Sequence, residues 1–382
     1  MKKRTFALLA WVLALALFAG CAGPTAPTLE LRDSRESYAH DERSAWDGFL
    51  AAEVGDYYVT NRGTGGLIYV CPKGTDRFIP LCGKPDCTHS DAGCNAYVDV
   101  GIGIGLFQNR IWTTEFSSQD PDHGRCVTSR ALDGTDKRED YPLPFPQLPD
   151  GSRGGSDYSV FHNGLLIRDI DVDESLPFEQ QIERVQILDL KTGELQEPFQ
   201  DHFVPGVRLG RPIRPVDNRI FAPEEVQEAD GSVSQWLICM DLDTGEVRRL
   251  TPGDDVSSWY LEEDKLCFVR MGSCRCVYDL ETGETEEFPL EIPDAVYERK
   301  DDYGYYVMGP IHNDRMDITF YFFDHDRRQI DQLDLTDGWR LMYVDDTRYW
   351  FGQFDPQGTL VSAYLDKSAI GSGNLKLTQS GR

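Results

Sequence analysis

Three segments of the chain are near copies of one another: ILDLKTGELQE (187–197), CMDLDTGEVRR (239–249) and VYDLETGETEE (277–287). Each is a β-prone apolar run, then Asp, then a Thr-Gly turn, then a polar exit. Weaker copies occur at 130–140 (RALDGTDKRED), 322–332 (FFDHDRRQIDQ) and 363–373 (AYLDKSAIGSG). An earlier one is IYVCPKGTDRF (68–78), with Cys71 where Asp stands elsewhere. Fixed-period self-similarity of this kind limits a chain to stacked or ring-like repeats.

A second element precedes each copy, a polar turn followed by a bulky strand. Examples are GDYYV (55–59), QNRIW (108–112), HNGLL (162–166), DNRIF (217–221), EDKLCF (263–268), DDYGYYV (301–307) and DDTRYWF (345–351). The two elements alternate seven times. With Cys71, Asp133, Asp189, Asp241, Asp279, Asp324 and Asp366 as markers, the intervals are 62, 56, 52, 38, 45 and 42 residues. Two hairpins per period make four strands, which is the content of a β-propeller blade. Asn163-Gly164 supplies the positive φ of a tight hairpin, and the Thr-Gly pairs supply a left-handed glycine. The alternation in Val185-Gln186-Ile187-Leu188-Asp189-Leu190 suits a strand packed between sheets. The expectation is an all-β chain, a single β-propeller of seven four-stranded blades. Recurrent aromatics, among them Trp112, Phe221, Trp259, Tyr305, Tyr306, Tyr349 and Trp350, are expected chiefly between blades.

The N-terminus reads as an export signal. Lys2, Lys3 and Arg4 precede an apolar run from Phe6 to Phe18, then Ala19 and Gly20. Cys21 follows directly, as the lipidated cysteine does in the lipobox of bacterial lipoproteins, although Phe18 holds a place where Leu is usual. The expected organisation is a signal over 1–20, a lipidated tether over 21–45 and the propeller over 46–382, at the extracytoplasmic face of the cell membrane. The formal charge of −27 becomes −30 once residues 1–20, with three cations and no acid, are removed. A chain so acidic is repelled by phosphate backbones, so nucleic acid is an unsuitable partner. Forty-three Phe, Trp and Tyr and 40 % apolar residues argue for a large folded core.

The segment LCGKPDCTHSDAGCNAY (81–97) places Cys82, Cys87, His89 and Cys94 at the spacing Cys-x4-Cys-x-His-x4-Cys. Three thiolates and an imidazole complete a tetrahedral shell of the structural zinc type and leave no position for substrate. Gly83, Pro85 and Gly93 are turn formers that can bend a loop around an ion. The rival is disulfide bonding, two of the three cysteines pairing and the third joining Cys71 or Cys126. Nine cysteines remain after Cys21, an odd set that cannot all pair internally.

The matching features (Cys21 after the apolar run, GDYYV, the cysteine segment and the Asp-x-x-Thr-Gly turns) resemble bacterial lipoproteins with TolB-like or DUF5050-type propeller repeats, of anaerobic Gram-positive type. The resemblance spans the mature chain and implies architecture and location. It carries no activity and no catalytic residue.

Other motifs are weaker. DIDVDES (169–175) opens like a calcium loop but has Glu174 where a turn glycine belongs, and reads more simply as an edge strand with Asp169, Asp171 and Asp173 in solvent. GIGIGLF (101–107) runs into a strand, whereas a dinucleotide fingerprint needs a helix after it. Cys274 and Cys276 flank Arg275 and would share a face of a strand, as a redox pair or, more simply, as small buried hydrophobes. No nucleophile elbow, zinc-protease motif or phosphate loop occurs. The sequence thus points to a non-catalytic binding or scaffold module for a protein or glycan of the cell envelope. The alternative is a propeller-type hydrolase or lyase acting on glycans through paired carboxylates at the channel mouth.

Overall fold

The computed structural model describes residues 50–380, apart from 55–56, 62–65, 73, 92, 99–102, 118–123, 147–155, 172–175, 254–255, 263, 271, 312–316 and 355–359. The proposed signal, Cys21, the tether and Trp46 lie outside the described residues. What is described is almost wholly antiparallel β structure, with two short 3-10 turns at Phe178–Gln180 and Lys367–Ala369. Among the described residues no helix is long and apolar enough to cross a membrane.

Six consecutive sheets run from residue 104 to 379, spanning 104–144, 207–252 and 340–379 among others, and each is an up-and-down meander. They are numbered here sheet 2 (104–144), sheet 3 (156–196), sheet 4 (207–252), sheet 5 (256–289), sheet 6 (297–335) and sheet 7 (340–379). Sheet 1 (50–80) is built differently. Its third strand, Tyr69–Pro72, is preceded by Gly66–Leu67, which leaves the sheet and pairs with Tyr97–Val98 in a two-stranded ribbon. The expectation of seven four-stranded blades is corrected to six blades, sheets 2 to 7, following the interrupted sheet 1; of these, sheet 4 has a fifth strand because Val207–Leu209 and Arg214–Val216 both pair with Arg219–Gln227.

The arrangement is that of a β-propeller. The first strands of sheets 1, 2 and 3 touch in succession, that of sheet 7 touches that of sheet 1, and those of sheets 5 and 6 touch each other. First strands are therefore innermost. Apolar clusters fill the seams between sheets. Ile68, Val70 and Leu81 meet Ile104 and Ile111 at seam 1/2. Val127 and Trp112 meet Phe161 and Leu188 at seam 2/3. Ile167 and Val185 meet Ile220 and Ile238 at seam 3/4, and Phe221 and Leu237 meet Trp259 and Phe268 at seam 4/5. Phe320 and Phe322 meet Tyr349 and Phe351 at seam 6/7. Cys71 and Phe78 meet Met342, Tyr343 and Trp350, which joins sheet 7 to sheet 1. Each sheet has two apolar faces and cannot bury both alone, so stacking around a ring covers them.

The repeated turns have one geometry. Asp189 Oδ1 accepts from the Lys191 and Thr192 amides at 2.7 and 2.9 Å. Asp241 and Asp279 accept in the same way from residues two and three further on. The glycine that follows is left-handed in all three, with φ of 76°, 72° and 75° at Gly193, Gly245 and Gly283. Each turn joins the third strand of its sheet to the fourth, and the Asp carboxylate satisfies amides that no ladder reaches.

Candidate metal centre

Residues 81–98 connect sheet 1 to sheet 2 and dock on their seam. The Leu81 amide donates to Ile68 O at 2.9 Å and the Ile68 amide to Ala96 O at 2.8 Å, so the segment enters and leaves beside the same strand. A buried ionic clamp holds its exit. The Arg130 side chain, fully buried, donates to the carbonyls of Asn95 and Tyr97 at 3.0 and 3.1 Å and to Glu115 Oε1 at 2.5 Å. Lys137 caps the other Glu115 oxygen at 2.6 Å and also reaches Tyr97 O. A buried charge needs such a partner, and here it fixes the loop to sheet 2.

Within this frame the four residues singled out by spacing converge. The Sγ atoms of Cys82, Cys87 and Cys94 and a ring nitrogen of His89 lie within 4.8 Å of one another. His89 Nδ1 is 3.3 Å from Cys94 Sγ. Local turns do the bending. The Cys87 amide bonds to Lys84 O, the Cys94 amide to Asp91 O and the Gly93 amide to Asp91 Oδ1. His89 takes a left-handed φ of 56°, and Lys84 Nζ closes the loop on Gly93 O. Cys94 is buried and the other three are half-buried.

The chemistry of the donor set fits a tetrahedral cation. Zn–S and Zn–N bonds set ligand–ligand separations of about 3.6–3.8 Å, so a small contraction of the cluster completes the shell. The thiols differ in how readily they ionise. Burial opposes the Cys82 thiolate, but hydrogen bonds from the Lys84 and Asn95 amides and from the Cys94 and Cys87 thiols outweigh it and lower its pKa. Burial pushes Cys94 up to about 12, only partly offset by the Ala96 amide. Cys71 and Cys126, the suggested disulfide partners, are engaged elsewhere. Cys71 packs in seam 7/1 beside the Thr75 hydroxyl at 3.5 Å, and Cys126 sits 3.7 Å from Phe116 O within sheet 2. All nine described cysteines are free thiols.

Other expectations fare differently. Asp169 and Asp171 are not in solvent. Their strand, Leu165–Asp171, is the second of sheet 3 and lies between two others, and Asp169 is 1 % exposed. Asp173 lies outside the described residues. Burial, together with Asp169 on the neighbouring strand, pushes the Glu183 carboxyl up to about 11. The Leu209 amide donates to Glu183 at 2.7 Å, and Arg208 and Arg211 approach Asp171 and Asp169 at 3.5 and 3.7 Å. Alternation alone hid this, because sheet 4 covers the face that the sequence left open. Gly103 and Gly105 serve packing: a Cβ on Gly105 would fall 2.3 Å from Phe161 Cβ on the inner strand of sheet 3. Of the aromatics named above, Trp112, Phe221, Trp259, Tyr306, Tyr349 and Trp350 are buried between sheets, whereas Tyr305 is half-buried.

No known protein-family profile matches the chain. No curated protein matches it in sequence. Its backbone is similar to that of an oligogalacturonate lyase in complex with manganese, a β-propeller protein, at 14 % identity with TM-score 0.51, covering 89 % of this chain and 90 % of that one. BamB from Moraxella catarrhalis aligns at 13 % identity with TM-score 0.38, covering 88 % and 86 %. At such identities the likeness concerns the fold alone.

Proposed function

We propose that this protein is a lipid-anchored, extracytoplasmic β-propeller that serves as a non-catalytic binding or scaffold module. In this reading Cys21 carries the lipid and 21–45 is the tether. The observation that carries the non-catalytic reading is where the described carboxylates go. Asp157 is held by Arg125 and Arg168, both at 2.8 Å, and Glu224 by Arg249 at 2.6 Å and by His202. Glu298 is held by Arg327 at 2.6 Å, and Glu183 by Asp169 and the Leu209 amide. These four carboxylates are buried and held within the fold, unlike the solvent-facing pair about 5–10 Å apart that glycoside chemistry uses.

The cysteine loop is proposed as a structural zinc centre of Cys82, Cys87, His89 and Cys94. A cation there ties sheet 1 to sheet 2, where the ring is least regular. Binding makes the loop's folding depend on the ion. Partners are proposed to be a protein or glycan of the envelope, reached from the membrane through the anchor.

The test uses the native host. Feeding an alkyne-tagged fatty acid should label the wild-type chain and leave Cys21→Ala unlabelled and released from the membrane; an unlabelled wild type overturns the anchor. Purified protein should hold zinc, of which Cys82→Ser/Cys87→Ser loses one equivalent. Depolymerisation of an envelope or plant-wall glycan by the purified chain, abolished by a single carboxylate substitution, would overturn the non-catalytic reading.

A further inference from the structure

Sheet 5 carries a second convergence of metal-ligating groups, far in sequence from the cysteine loop. Cys274 and Cys276 lie on its third strand, Cys274–Asp279, and Glu287 on its fourth, Thr285–Pro289. In an extended strand residues two apart share a face, so both thiols point the same way. Their Sγ atoms are 3.5 Å apart. Cys276 is paired directly across the ladder with Glu287, which brings a carboxylate oxygen to the same face. The two sulfurs and that oxygen lie within 4.8 Å of one another. Backbone register, rather than a flexible loop, sets all three donors.

The surroundings divide the site into a dry and a wet side. Cys276 is fully buried in the apolar seam with Phe221, Trp259 and Phe268. Cys274 is half-buried at the edge of that cluster, and the Glu287 side chain is 60 % exposed. Arg270, opposite Cys274 on the second strand, reaches Glu287 Oε1 at 3.5 Å and balances part of the negative charge. The other cysteines of this region do not join in. Cys267 lies on the opposite face of the sheet, and Cys239, on sheet 4, stays outside the group.

From this geometry we propose that Cys274, Cys276 and Glu287 form a second cation site, for a thiophilic divalent ion of the zinc class, with one coordination position left to water. Two thiolates select a soft ion over calcium or magnesium, and a carboxylate suits zinc better than a purely thiophilic monovalent ion. Binding converts both thiols to thiolates and releases two protons to solvent; no oxidation state changes. The site differs in kind from the cysteine loop. The loop offers four donors and closes its shell, whereas this site offers three and faces solvent at Glu287. It stands independently of the loop's proposed role.

The test is a titration of the full chain, reduced and stripped of metal, with Cd2+, read by thiolate-to-metal charge-transfer absorbance. The wild type should take up one equivalent more than Cys274→Ser/Cys276→Ser, with circular dichroism confirming that the variant is folded. Cys82→Ser/Cys87→Ser should retain the equivalent held by sheet 5, which separates this site from the loop. Glu287→Gln should keep the thiolate band and bind about tenfold more weakly. In the unmutated chain, Zn2+ should protect Cys274 from alkylation. Equal stoichiometry in wild type and Cys274→Ser/Cys276→Ser overturns the proposal. So does alkylation of Cys274 at an unchanged rate in saturating Zn2+, or a Cys274–Cys276 disulfide that forms despite it.

Discussion

Sheet 6 is held on its two faces by different physics. Toward sheet 7 it presents Tyr306, Phe320, Phe322 and Leu333, which meet Tyr349 and Phe351 in a continuous apolar seam. Phe320 and Phe351 stack edge to face at 5.6 Å, as do Tyr306 and Tyr349 at 5.2 Å. Toward sheet 5, no buried apolar cluster among the described residues spans the seam. Lys300 pairs with Glu262 and the Tyr260 hydroxyl donates to Glu298 at 3.2 Å across that seam, while Arg327 of sheet 6 holds the same Glu298 and Glu291 of the linker between the two sheets. Apolar seams are strong, non-directional and indifferent to salt. Ionic seams set register, and they cost desolvation that only complete pairing offsets. The lesson is that a ring of equivalent repeats need not have equivalent joints.

One substitution on each face separates the two kinds of joint. Phe351→Ala empties the sheet 7 side and should cost about 3–5 kcal/mol in denaturant unfolding, unchanged by added salt. Arg327→Ala removes the closest cation from Glu298, which is 2 % exposed, and should cost about 2 kcal/mol, less than a fully buried break because the guanidinium keeps some solvent and the Tyr260 hydroxyl remains on the carboxylate. It should also remove an acid dependence. Burial works against ionised Glu291, but Arg327 beside it more than compensates and lowers its pKa below 4.5. Its contribution is present above that ordinary value and is lost as pH falls through the lower folded one. A salt-sensitive Phe351→Ala, or an Arg327→Ala with unchanged acid response, would collapse the distinction.

Seam 3/4 combines both kinds of joint, a full apolar cluster and the Asp169–Glu183 pair. Glu183 holds its proton up to about 11 when folded, against 4.5 in the free side chain. The folded state therefore binds more protons than the unfolded one between those values. This contribution is complete below pH 4.5 and declines as pH rises toward 11. Glu183→Gln should flatten the alkaline decline of melting temperature while leaving acid stability nearly unchanged. The smallest effect is expected at Asp279→Ala, in an exposed turn of sheet 5 away from both seams. Its carboxylate is held below the ordinary range chiefly by the Thr282 amide. A slight fall in melting temperature above that range, fading in acid, serves as the control that no seam is involved.

Some of this architecture was legible along the chain. The markers Asp189, Asp241 and Asp279 announced their turns because an Asp carboxylate, two amides and a left-handed glycine are local neighbours, so the pattern needs no distant partner. The cysteine loop was legible for the same reason: its four donors lie within thirteen residues. Sheet 1 looks in sequence like any other repeat, since nothing in its letters shows that Gly66–Leu67 leaves to pair with Tyr97–Val98.

Local letters suffice for an all-β repeat protein, for the turns that punctuate it and for the grouping of Cys82, Cys87, His89 and Cys94 in one loop. Which face of each strand is covered follows from packing between sheets. That choice buried Asp169 against Glu183, placed Arg130 under the loop and set Glu287 across from Cys276. The physical reason is that a strand's alternation names two faces but not what lies on them, and the partner sheet or strand that supplies the missing charge comes from elsewhere in the chain.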